Sequence, residues 1–149
     1  MLTLDAAVRN AVVAHARRDH PDEACGLIVG PIGSGRPERV VEMVNAARSM
    51  TQYEFEPREQ LRVYRELDDR DEEVVVVYHS HTATEAYPSR TDVRFASQPG
   101  AHYLLVSTRD PEDAEIRSYR IIDGTVTEEE VRVAGETAGK PPAPAAVRP

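Results

Sequence analysis

The sequence predicts a single α/β domain of the α+β kind, with a mixed β-sheet flanked by helices, and three observations carry that expectation. The run "VVVVY" at residues 74–78 is continuous and β-branched, as suits a central strand buried on both faces. Two segments, 5–19 and 57–71, place apolar side chains at helical spacing. Short β-prone segments bounded by turn residues lie on either side of the valine run. At 149 residues the chain fits one domain. A chain of this length buries on the order of two-thirds of its unfolded surface.

Taken in order, Ala7, Val8, Ala11, Val12 and His15 recur at helical spacing, and Asp5 stands where an N-cap would. "ACGLIVG" at 24–30 is a short apolar run; "PIGSGRPE" then supplies turn residues before the β-prone "RVVEMV", so the pair reads as a hairpin. The Gly33-Ser34-Gly35 loop lacks the lysine and following helix of a nucleotide-binding loop and reads as a turn. After the extended "YEFE", Pro57 opens a helix whose Leu61, Tyr64 and Leu67 recur. The valine strand follows, then a helix from Ser89 to about Ser97, then strands at "HYLLVST" and "EIRSYRIIDG". The domain is expected over 1–134. The tail, 135–149, is rich in Pro and Ala without apolar periodicity and is expected to be disordered.

Composition narrows the function. The net charge is −8 with no basic cluster, which repels a phosphate backbone and argues against nucleic acid as a partner. No run approaches the ~18 apolar residues that a membrane span requires, and the N-terminus lacks the basic start and unbroken apolar core of a signal peptide. A cytoplasmic protein is expected. One cysteine, Cys25, excludes an internal disulfide and a Cys-rich zinc knuckle, so the ligands of any metal are His and carboxylate.

Such residues occur together in "YHSHTATEAYPSRTD", residues 78–92. On a strand His79 and His81 face the same way, about 7 Å apart along the backbone, with Ser80 opposite. Asp92 is the candidate third ligand, although Ser89 to Asp92 also reads as a helix cap with an acidic residue three positions on. Two His and one Asp suit zinc and leave a fourth position for water, the mark of a catalytic site. Amide hydrolysis also needs a base to move the proton to the leaving amine. Asp22 and Glu23, just before the "ACGLIVG" strand, are its candidates.

The set of Glu23 in "PDEACGLIVG", His79-Ser80-His81, and Ser89 with Asp92 resembles the JAMM, or MPN-plus, zinc metallopeptidases. "NAARS", "YEFEP" and "SYRI" extend the resemblance over residues 1 to about 133. It implies an MPN domain with a cytidine-deaminase-like arrangement and one zinc ion per chain on His79, His81 and Asp92. It further implies that Glu23 is the general acid/base and that Ser89 hydrogen-bonds the oxyanion. Within the family, "HARRDHPDEACG" and "YHSHTATEAYPSRTDV" look most like the bacterial sulfur-carrier-protein cysteine hydrolases. These cleave cysteine from the terminal glycine of a ubiquitin-like sulfur-carrier protein, in a cysteine-biosynthesis route. The alternatives are an isopeptidase that removes a ubiquitin-like modifier from lysine, and a catalytically silent MPN scaffold. A third reading makes Cys25 a nucleophile with a histidine as base. Arg90 and Arg94, near the motif, are the cations considered for the carboxylate of a leaving cysteine.

Overall fold

A computed structural model describes residues 1–135; apart from Gly135, the Pro/Ala-rich tail lies outside the described residues. The elements run β1 (Leu2–Asp5), α1 (Ala6–Asp19), β2 (Cys25–Pro31), β3 (Arg39–Met43), α2 (Pro57–Asp69), β4 (Glu72–His81), α3 (Arg90–Phe95), β5 (His102–Ser107), β6 (Glu115–Ile122), β7 (Thr125–Glu129) and β8 (Val131–Ala134). Six strands form one mixed sheet in the order β3-β2-β4-β5-β6-β7, with β4 and β5 parallel and the other pairs antiparallel. The valine run lies in the middle of it.

A strand alternates its side chains between two faces, so the sheet has two cores. On one face Leu27, Val77, Leu105 and Tyr119 meet Val63 and Leu67 of α2. On the other, Ile28, Val76, Tyr78 and Leu104 meet Val8 and Val12 of α1, together with Leu2 and Leu4 of β1. Tyr78 lies directly opposite Gly26 across the β2–β4 pair. A Cβ on Gly26 would come within 2.4 Å of the Tyr78 hydroxyl, so only glycine lets that ring lie across the strand. The hydroxyl is in turn 2.7 Å from His15 Nδ1, which ties α1 to the sheet.

The two long helices, the β2–β3 hairpin and the central strand lie as the sequence predicts. Three details differ. Leu61 is 54% exposed while Val63 is buried, because a helix turns about 100° per residue and the stripe that faces the sheet passes through 63 and 67. Helix α3 ends at Phe95, where Ala96 turns extended ahead of Pro99. Strands β1, β7 and β8 were not foreseen. β1 pairs in parallel with β8, at opposite ends of the described residues, and four residues are too short to show a pattern. β7 follows an Asp123-Gly124 turn with positive φ at both residues, the usual chemistry of a tight hairpin.

Candidate metal centre

β2 and β4 are antiparallel and place Cys25 opposite His79, so Glu23, just before β2, arrives beside the end of β4 that carries the two histidines. The junction is locked by Ser80, whose hydroxyl accepts from Ala24 N at 2.8 Å while Ser80 N donates to Ala24 O at 3.0 Å. Ser80 points to the α1 face, as alternation requires, and leaves His79 and His81 together on the α2 face.

His79 Nε2, His81 Nε2 and Asp92 Oδ2 form a triangle with sides of 3.2, 3.1 and 3.0 Å. All three side chains are buried, none more than 7% exposed. His81 Nδ1 lies 3.0 Å from the Glu85 carbonyl, which can only accept. That nitrogen therefore carries the proton, and Nε2 of the neutral ring turns a lone pair toward the Asp92 carboxylate. A lone pair facing a carboxylate oxygen repels unless a proton or a cation lies between. The edge of a tetrahedron with zinc–ligand distances of ~2.0–2.1 Å is about 3.3 Å, so the spacing fits the ion.

Asp92 does two jobs that the sequence reading treated as competing. Its Oδ2 accepts from Ser89 N at 2.8 Å, and Asp92 N donates to Ser89 Oγ at 3.0 Å, a complete capping box. The same Oδ2 faces both imidazoles. One carboxylate oxygen has lone pairs for more than one partner, and the cap fixes its direction. Burial alone would raise the Asp92 pKa, but hydrogen bonds to His79 and His81 outweigh it and hold the carboxyl well below its usual range. Burial pushes His79 down, whereas His81, also opposed by burial, ends above its ordinary value through its bond to Asp92.

Glu23 behaves differently. It is 3% exposed, and its Oε1 has no hydrogen-bond partner among the described residues. Burial pushes its pKa up to about 7, with the His81 charge opposing and the Asp92 charge adding. Ligand atoms of Glu23, His79 and His81 also lie within 4.8 Å of one another, so two carboxylates compete for the third ligand place. Asp92 is the ionised one and the closer; Glu23 is the carboxyl poised to gain or lose a proton near neutral pH. Asp22 is half-buried on the preceding turn.

The segment between His81 and Ser89 is fixed by buried groups that sequence reasoning missed. Glu115 Oε1 accepts from Ala86 N at 2.8 Å, Tyr119 donates its hydroxyl to Ala86 O at 2.6 Å, and Ser107 donates to Thr84 O at 2.6 Å. The Tyr53 ring also stacks on His79, centroids 4.4 Å apart. "YEFE" carried no sign of this beyond an aromatic in a short extended segment. Cys25 is fully buried in the core, and burial pushes its thiol up to about 12, which leaves no thiolate for attack at neutral pH. Arg94 lies over the ring of its neighbour Phe95, and neither it nor Arg90 lines the cavity beside Glu23.

Residues 5–122 match the family model described as prokaryotic homologs of the JAB domain. The chain is 64% identical over 133 residues to a protein named CysO-cysteine peptidase from Mycobacterium tuberculosis, covering 89% of this chain and 91% of the relative. It is 32% identical to a desampylase from Haloferax volcanii, over 71% of this chain and 80% of the relative. Among solved structures, a protein from Desulfitobacterium hafniense aligns with a TM-score of 0.80 at 34% identity, covering 93% of this chain and 96% of that one. A JAB1/MPN domain protein from Archaeoglobus fulgidus shares the fold, with a TM-score of 0.58 at 18% identity over 91% of this chain and all of that one. Fold, family model and relatives agree: the chain belongs to the prokaryotic JAB-domain, or JAMM, family and is a peptidase of that family.

Proposed function

We propose that this peptidase is a zinc-dependent hydrolase that cleaves the amide between the C-terminal glycine of a ubiquitin-like sulfur-carrier protein and cysteine, releasing cysteine and the carrier. The observation that carries the reading is the triangle of His79, His81 and Asp92 donors, with the carboxyl of Glu23 raised to about 7 beside it. The relative named CysO-cysteine peptidase, at 64% identity, supports the substrate. Residues 1–134 act as one catalytic domain. A free, buried Cys25 accords with a reducing, cytoplasmic setting.

In this proposal His79, His81 and Asp92 hold one zinc ion. Zinc on such a set supplies a Lewis acid that acidifies water and polarises a carbonyl. Glu23 takes the proton of the attacking water and gives it to the leaving nitrogen, and a pKa near the working pH suits both steps. The Ser89 hydroxyl accepts from Asp92 N, so its own proton is free to bond the oxyanion of the tetrahedral intermediate. Tyr53 packs against His79 and keeps water from that side of the ring.

Mass spectrometry of a carrier–cysteine adduct, before and after incubation with the zinc-loaded protein, tests the reading. Loss of the cysteine mass with return of the glycine-ended carrier is the expected result. Retained zinc with an unchanged adduct would favour the silent scaffold. The similarity to a desampylase keeps one further reading, an isopeptidase acting on a lysine-linked modifier. Faster cleavage of the lysine conjugate than of the cysteine adduct would select it.

A further inference from the structure

A cavity of about 410 Å³ opens beside Glu23, between the end of α1, the end of β3 and the turn that follows it. Ligand pockets span ~300–1,000 Å³, so this one is of a size to take a single amino acid. The turn is held firmly. Asn45, 8% exposed, donates to Glu23 O and Gln52 O at 3.0 Å and accepts from Ala47 N and Glu54 N at 3.0 and 3.1 Å. Glu23 N donates to Ser49 O at 2.8 Å, which fastens the turn to the backbone of Glu23.

Two arginines line the cavity. Arg18 is already paired with Glu42 and lies 3.8 Å from Asp19. Arg48 sits at the tip of the turn with φ of 46°, and its side chain makes no hydrogen bond or ion pair among the described residues. The cavity thus has one guanidinium left for a ligand, with Asp19, Asp22, Glu23 and Glu42 lining the same space.

Glu23 must reach the leaving nitrogen to protonate it, so substituents next to that nitrogen lie beside Glu23. This cavity, which Glu23 lines but His79, His81, Asp92 and Ser89 do not, is the space beside Glu23 that can take them. In a cysteine linked through its α-amine, the carboxylate sits on the carbon that bears the scissile nitrogen. In a lysine linked through its side chain, the carboxylate is at the far end of that chain. We propose that Arg48 is the carboxylate clamp for the leaving cysteine, making the enzyme selective for one α-linked amino acid at the carrier's C-terminus. This rests on the carrier–cysteine hydrolase reading above. A guanidinium presents a planar fork of donors that matches a carboxylate, and the acidic side chains nearby suit the amine that hydrolysis frees.

The test compares kcat/KM of the zinc-loaded full chain for two adducts, carrier–cysteine and carrier–cysteinamide, whose leaving group has no carboxylate. A charge-assisted hydrogen bond lost with the carboxylate corresponds to about a 10- to 100-fold change. The wild type is expected to prefer the free carboxylate by that factor. Arg48→Ala should lose the preference by slowing only the carrier–cysteine reaction, and Arg48→Lys should recover part of it. The exposed position of Arg48 predicts an unchanged Tm in both variants. Equal rates on the two adducts in the wild type, or an unchanged ratio in Arg48→Ala, would overturn the clamp alone. Cleavage of neither adduct by the wild type would overturn the hydrolase reading and the clamp with it.

Discussion

Ser89 and Asp92 hold each other: the backbone N–H of each donates to the side-chain oxygen of the other, at 2.8 and 3.0 Å. Because Asp92 Oδ2 also faces His79 and His81, the cap of a six-residue helix sets the direction of the proposed third metal ligand. Asp92→Ala should therefore lose most of the bound zinc and nearly all activity, with a further ~1 kcal/mol of stability from the lost cap. Zinc stoichiometry by elemental analysis decides the point. Full zinc occupancy in Asp92→Ala would move the third ligand place to Glu23.

Ser89→Ala separates the cap from the chemistry. Removal of the cap costs ~1 kcal/mol of stability, and removal of an oxyanion donor lowers kcat by about 10²–10³. Both losses are expected, and Ser89→Thr should recover most of each. A normal kcat in a Ser89→Ala protein that melts early would confine Ser89 to its cap.

Glu23→Gln should keep its zinc and lower the rate by ~100-fold or more. In the zinc-free chain the same change has a pH signature. The folded-state pKa of Glu23 is raised from 4.5 to about 7, so folding favours its protonated form. Its ionisation costs nothing extra below about pH 4.5. The penalty grows as pH rises toward 7 and then levels, approaching ~3 kcal/mol. Relative to Glu23→Gln, the chelated wild type should lose stability between pH 5 and 8. Parallel Tm curves for the two proteins would show that Glu23 is not the raised carboxyl.

Tyr119→Phe leaves the Ala86 carbonyl without its hydroxyl donor. An unsatisfied buried acceptor costs about 1–3 kcal/mol. Because Ala86 lies between His81 and Ser89, zinc affinity should weaken as well. Denaturant unfolding of the zinc-free protein, with chelator competition on the loaded one, measures the two effects. A stability loss with unchanged zinc affinity would mean that the loop tolerates the missing bond without moving its ligands.

The sequence by itself determined the elements whose signals are local. Four consecutive valines, two helical stripes and an apolar run before a glycine-rich turn each specify a strand, a helix or a hairpin from neighbouring residues. Strand alternation likewise put His79 and His81 on one face. The spacing from His81 to Ser89 and Asp92, with Glu23 ahead of a strand, was enough to single out every residue of the candidate site through its resemblance to a family. Only the tertiary structure decided what depends on contacts between distant segments. It was the β2–β4 register that brought Glu23 to the histidines and buried it, and burial, not residue type, raised its pKa to about 7. Nothing local marked Glu115 and Tyr119 on β6 as the supports of Ala86, Tyr53 as the cover of His79, or Arg18 and Arg48, instead of Arg90 and Arg94, as the arginines that line the cavity beside Glu23. A periodic pattern records which face a residue takes, but not what the chain brings to that face.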